Sequence, residues 1–146
     1  MDKLEELQNQ SLHPDLHPLL LEFHHINGHA LRAVWHVYID QCLDKVILEF
    51  DQDCLIAEAE PCDDMMVFHL GSKHGLSRDG WRDVSSSEPW HSLIGQAFGW
   101  GWITINQQDA LDGILLSFDG IYPQVMLNVI ASSIEESIIQ KPPQRE

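Results

Sequence analysis

Apolar residues alternate with polar ones along most of this chain, in short runs separated by Asp, Asn and Gly. In "LRAVWHVYI", Leu31, Ala33, Trp35, Val37 and Ile39 fall on one face of an extended strand. "DKVILEF" places Val46, Leu48 and Phe50 together, and "CLIAEAE" alternates Leu55, Ala57 and Ala59 with Ile56, Glu58 and Glu60. The Asp-rich turns "DQCLD" and "FDQDC" join these runs, and "MMVFHL" adds a fourth strand. The same grammar returns after His91. "QAFGWGWITIN" carries Trp100 and Trp102 two apart, "GILLSF" groups Ile114, Leu116 and Phe118, and "QVMLNVIA" groups Val125, Leu127 and Val129. "SSIEESII" fits a strand or a helical turn.

Helical spacing is confined to the beginning. Leu4 and Leu7 in "DKLEELQNQ" suggest one short helix. A second starts near Pro18, runs to about His25 and stops at Gly28, with Leu19, Leu20, Phe23 and Ile26 as its apolar stripe. The predicted fold class is α+β: short N-terminal helices plus a mainly antiparallel β-sheet built from two repeated β-meanders.

The two meanders align residue by residue. Gly28, Ala30, Trp35 and Gln41 match Gly95, Ala97, Trp102 and Gln108, each 67 positions on. "CLDKVILEFDQ" then matches "ALDGILLSFDG" at a spacing of 68, with Leu43, Asp44, Leu48, Phe50 and Asp51 identical to their mates. After the longer turn "GIYPQ", a spacing of 72 pairs Leu55 with Leu127, Ala59 with Ala131 and Asp63–Asp64 with Glu135–Glu136. The expectation is one domain over 1–146, with repeats 28–67 and 95–139 joined by an exposed segment 71–92, rich in Ser, Gly and Asp.

With 146 residues, 44% of them hydrophobic, the chain can build one core and not two. Charge narrows the partners. Eight basic against 23 acidic residues give a net charge of −15, which repels nucleic-acid phosphates and anionic lipid heads but suits a basic protein or a cation. No apolar run is long enough to cross a bilayer, and the polar start lacks a secretory core. Three cysteines, Cys42, Cys54 and Cys62, show no zinc-site spacing and read as free thiols. A cytoplasmic location follows as the expectation.

Motifs for chemistry are sparse. His25 and His29 stand at the i, i+4 spacing of two metal ligands on a helix, but Gly28 falls between them and no HExxH pattern accompanies them. The acidic run Glu58, Glu60, Asp63 and Asp64 lacks the glycine and spacing of a calcium loop, and suits a solvated strand edge. There is no GxSxG, no phosphate-cradling loop and no GxGxxG, and no cofactor is implied. Asp residues at strand ends serve turns more often than catalysis. Trp81, Trp90, Trp100 and Trp102 form the most distinctive set. They fit either a core, with Gly99 and Gly101 allowing close backbone approach, or a partner-binding surface.

"GWITINQQDALDGILLSF" and the ending "MLNVIASSIEESI" resemble small uncharacterised bacterial proteins built on a domain of unknown function, over the C-terminal half of the chain. Such families have no assigned catalytic residues, so the resemblance implies none here. Size and acidity also resemble bacterial toxin-immunity proteins in general style. The leading functional expectation is a non-enzymatic acidic interaction or regulatory protein that meets a basic partner. The alternatives are a small-ligand- or metal-dependent enzyme using the His-rich N-terminal segment, and a homodimer formed through an exposed meander edge.

Overall fold

A computed structural model describes residues 17–60 and 64–139. The expected helix at Leu4–Leu7 and Cys62 lie outside the described residues. Helix α1 spans His17–Ile26, with Gly28 just beyond it at φ 83°, the left-handed conformation in which glycine ends helices. Nine strands follow: β1 (Ala33–Ile39), β2 (Cys42–Glu49), β3 (Asp53–Glu60), β4 (Met65–Ser72), β5 (Arg82–Asp83), β6 (Phe98–Ile105), β7 (Leu111–Phe118), β8 (Val125–Ile130) and β9 (Ser133–Ile138). They form two antiparallel sheets, ordered β4-β3-β2-β1-β5 and β6-β7-β8-β9. The α+β reading therefore holds, with one short helix among the described residues and two antiparallel meanders.

The turns follow from local chemistry. Asp40–Gln41 and Ala131–Ser132 are two-residue hairpin loops with positive φ at both positions, the geometry that matches strand twist. Asp40, whose short polar side chain can hydrogen-bond locally, tolerates it more readily than Gln41 or Ala131, whose Cβ crowds the backbone there.

The two sheets meet at residues 67 positions apart. Ala30 and Ala97 bridge each other. Around them the Gly28 N–H donates to the Phe98 carbonyl and the Gly95 N–H to the Leu31 carbonyl, both at 2.8 Å. The Leu31 N–H donates to Gln96 and the Phe98 N–H to His29. Each bond becomes its mate when n and n+67 are exchanged, which is the behaviour of a local two-fold axis. The same exchange carries β2 against β9 into β7 against β4, and both pairs are packed. It also relates Phe23 and Ile26 of α1 to Trp90 and Leu93 of the turn before Gly95, and all four are buried.

Between the sheets lies one large apolar cluster, including Val46, Leu48, Leu55, Phe68, Ile114, Leu116 and Leu127. Burying a side chain of this size contributes roughly 1.5–3 kcal/mol. The structure departs from the sequence reading in three places. In β1 the interior face is Val34 and His36, while Trp35 and Val37 face out. That outer face is apolar because the segment after β4 covers it: Leu76 and Trp81 pack on Trp35, Ile47, Cys54 and Ile56. The connection expected to be exposed over 71–92 is thus partly a lid, and it supplies β5 and the buried Trp90. Finally, the turn before β8 adds two residues, not four. Val46 pairs with Ala57 and Ile114 with Leu127, so Ala57 corresponds to Leu127 at a spacing of 70.

Candidate functional site: a tryptophan face and a buried polar cluster

Corresponding outer faces of the two sheets are dressed differently. On the first sheet the guanidinium of Arg78 lies 4.8 Å from the Trp81 ring centroid and 5.6 Å from that of Trp35. It also donates to the Glu49 carboxylate. Stacking on indole and pairing with a carboxylate both favour arginine at such a place. The segment is pinned beyond this point, where the Val84 N–H donates to the Val34 carbonyl and Ser85 Oγ accepts from the Val34 N–H.

On the second sheet Trp102 stands where Trp35 stands on the first. It pairs with Leu115, which pairs in turn with Met126, so these three line one outward face with Trp100 and Asn128 beside them. Among the described residues no segment lies over this face, and Trp100 is 51% exposed. Trp100 reaches it through a bulge: Phe98 pairs with Phe118 and Trp100 with Ser117, so Gly99 is the extra residue. Both flanking glycines are sterically required. A Cβ on Gly99 would sit 2.3 Å from the Gly120 carbonyl oxygen, and one on Gly101 2.5 Å from the Phe23 ring. Trp100 also borders a cleft of about 210 Å³ between α1 and β6, lined by Leu20, Phe23, His24 and Asn27. Asp112, which accepts from Thr104 Oγ1 at 2.6 Å, and the exposed Glu135 add negative charge at its far side.

The second feature is internal. His36 Nε2 lies 2.7 Å from Glu136 Oε1, with both side chains largely buried (9% and 15% exposed). The ring nitrogen makes no aligned hydrogen bond to that oxygen, so the two groups are in close polar contact without a directed bond between them. Trp90 Nε1 donates to the other carboxylate oxygen, and the Tyr38 hydroxyl is 3.3 Å from His36 Nδ1. Arg82 sits over the Tyr38 ring at 5.0 Å. The two-fold relation gives this cluster an internal comparison. Phe23 corresponds to Trp90, Phe68 to Glu136 and Ile103 to His36, so the sister location is wholly apolar, with Phe23 and Phe68 stacked at 5.2 Å. One half of the fold shows that hydrocarbon suffices there; the other has a buried polar cluster of His36, Glu136 and Trp90. The sequence holds one hint of it. In β9, Glu136 occupies the apolar parity set by Ile134.

The four tryptophans singled out in the sequence separate. Trp100 and Trp102 share the second sheet's outer face, Trp81 belongs to the lid on the first, and Trp90 is 1% exposed in the core. His25 and His29 are both exposed, one in the last turn of α1 and the other beyond Gly28. Among the described residues no group of three or more His, Cys, Asp or Glu side chains is placed to hold a metal ion. Cys42 is exposed and Cys54 buried, both as free thiols. No described helix is long and apolar enough to cross a membrane.

Fold and surface together define a mainly antiparallel, two-sheet α+β protein with an aromatic face on one sheet. The chain belongs to a family of unknown function, DUF6334, whose sequence model matches residues 17–142. No curated protein and no solved structure matches it.

Proposed function

We propose that this is a non-enzymatic interaction protein of the bacterial cytoplasm, which engages a basic protein partner through the outer face of the second sheet. The observation that carries the reading is the contrast between corresponding faces. The first sheet's Trp35 is covered by an arginine-bearing segment of the same chain, whereas Trp102 and the half-exposed Trp100 have no such cover among the described residues. Aromatic side chains contribute strongly to binding when an interface buries them. The net charge of −15 selects for a cationic partner, speeds its approach at low salt and opposes a second copy of the same chain.

Affinity capture at low salt, with the wild-type chain and with Trp100→Ala/Trp102→Ala, tests this reading. It expects a basic protein that the wild type retains, that moderate salt releases and that the double variant fails to hold. A captured set that ignores salt and both substitutions, or no captured protein at all, rejects it.

A further inference from the structure

β1 and β6 are sister strands, but their edges differ. On the first sheet β1 lies between β2 and β5, whereas on the second β6 is the last strand. β5 runs antiparallel to β1, with Asp83 opposite Trp35 and Arg82 opposite His36. The pairing continues to Val84, whose N–H donates to the Val34 carbonyl at 2.9 Å, while Ser85 Oγ accepts from the Val34 N–H. Gly101, Trp102 and Ile103 are the mates of Val34, Trp35 and His36 at the 67-residue spacing. By the same relation the backbone groups of Gly101 and Ile103 face the outer edge of β6. Among the described residues no strand pairs with that edge.

The other edges are closed or guarded. In β4 the Leu70 N–H donates to the Glu22 carboxylate of α1 at 2.9 Å, β5 is two charged residues long, and β9 carries Glu135 and Glu136. Covered, short or charged edges keep a strand from pairing with another chain. β6 has eight residues, none charged and none proline. Its irregularities fall at its ends, between Phe98 and Trp100 and between Thr104 and Ile105, so the stretch from Trp100 to Thr104 is regular. Beside it opens the cleft between α1 and β6, which reaches Gly101 and is walled by Leu20, Phe23 and Trp100. On the first sheet the residue bonded to Val34, the mate of Gly101, is Val84, and Val84 packs on the core. The cleft therefore stands where the first sheet receives an aliphatic side chain.

We infer that the partner adds a strand to β6, antiparallel to it, from an extended segment built like this chain's own residues 78–84. That segment lays an arginine over Trp102, as Arg78 lies over Trp35, and six residues later sets an aliphatic side chain in the cleft beside Gly101. Main-chain bonds to Gly101 and Ile103 hold the strand, and its side chains select it. Glu49, which accepts from Arg78, corresponds to Ser117. On the second sheet the negative charge comes instead from Asp112 and Glu135, in the row of Thr104 next to Trp102. An arginine-bearing segment suits this edge, and the net charge of −15 opposes pairing of β6 with β6 of a second copy. The inference rests on the docking reading above and gives it a mode of binding.

The probe is a synthetic peptide with blocked ends that copies residues 76–86 and carries Asp79→Asn and Asp83→Asn, so that only its two arginines are charged. It is titrated into the ¹⁵N-labelled full chain. In the free chain the Gly101 and Ile103 amides should exchange quickly with solvent. The peptide should slow both and shift the Trp100 and Trp102 indole signals, leaving those of Trp35 and Trp81 in place. Arg78→Ala in the peptide should weaken binding roughly two- to fivefold. Methylation of its Val84 nitrogen removes the donor to Gly101 and should abolish binding. Gly101 and Ile103 amides already protected in the free chain, by a second copy or by another part of the chain, would overturn the inference. A methylated peptide that binds as well as the parent overturns strand addition and leaves the docking reading standing. Neither protection nor indole shifts at millimolar peptide also overturns it, and the low-salt capture then decides the docking reading by itself.

Discussion

Replacing the buried polar cluster by its own sister residues separates what the fold needs from what the cluster adds. The perturbation is the triple change Trp90→Phe, His36→Ile, Glu136→Phe, which copies Phe23, Ile103 and Phe68 from the corresponding location. Removing one member of a buried polar contact leaves the other without its partner, at a cost of about 1–3 kcal/mol. His36→Ala or Glu136→Ala alone should therefore lose about that much. For a chain of this size that is roughly 2–12 °C of melting temperature, at about 2–4 °C per kcal/mol. The Glu136 change also strips the acceptor from Trp90 Nε1, adding to its loss. The triple change removes all the stranded groups at once. Hydrocarbon in place of a buried pair is neutral or stabilising by about 1–4 kcal/mol when it packs, and the stacked Phe23 and Phe68 show that this frame accepts that shape. Urea unfolding followed by tryptophan fluorescence and far-UV circular dichroism reads the difference through the midpoint at constant slope. A triple variant that unfolds as readily as the worst single variant would refute the reasoning, because the cluster would then be required by the fold. Single variants that lose under about 1 kcal/mol would refute it from the other side.

Other outcomes follow from individual contacts. Gly99→Ala meets backbone at Gly120 and Gly101→Ala meets the Phe23 ring, so each should cost about 1–3 kcal/mol, read as a lowered urea midpoint; the Gly101 change should also raise hydrogen exchange in α1. Ala131→Asn should stabilise by about 0.5–1 kcal/mol, since asparagine tolerates the left-handed φ of 52° that alanine resists; an unchanged melting temperature would count against that turn. Burial first, with the Glu49 charge adding, pushes the Cys54 thiol from 9.0 up to about 11. The unfolded chain loses this proton near pH 9 while the folded chain keeps it, so Cys54 contributes stability that declines as pH rises from about 9 through 11. Cys54→Ala should flatten that decline in urea midpoints measured across the range. Alkylation at pH 8 with peptide mapping should label the exposed Cys42 and spare Cys54.

Much of the architecture was legible because strand alternation and Gly-ended helices are local signals. Gly28 and Gly95 mark where each half begins, and both have the positive φ that no other residue adopts as easily. The 67-residue spacing of Trp35 and Trp102 also points to the sister faces. What stayed hidden depends on long-range partners. β1 is apolar on both faces, so periodicity could not say that Val34 and His36 point inward until the lid over Trp35 was known. The Ser- and Gly-rich composition of that lid disguised the anchoring roles of Leu76, Arg78 and Trp81. Likewise, His36 and Glu136 are a hundred positions apart, and only sheet packing brings them to 2.7 Å. A spacing of 72 for the third strand also concealed the match of Glu136 with Phe68, which follows once strand register fixes that spacing at 70.

We propose that the second sheet's outer face is where this protein meets a basic partner. Site-specific photocrosslinking in cells tests it most directly, with a photoreactive phenylalanine analogue placed at Trp100 or, as a control, at the exposed Val67 of the first sheet. A discrete adduct with a basic protein is expected from position 100, weakened by Trp102→Ala, and none from position 67. Adducts of equal yield from both positions, or an adduct from position 67 alone, would contradict it.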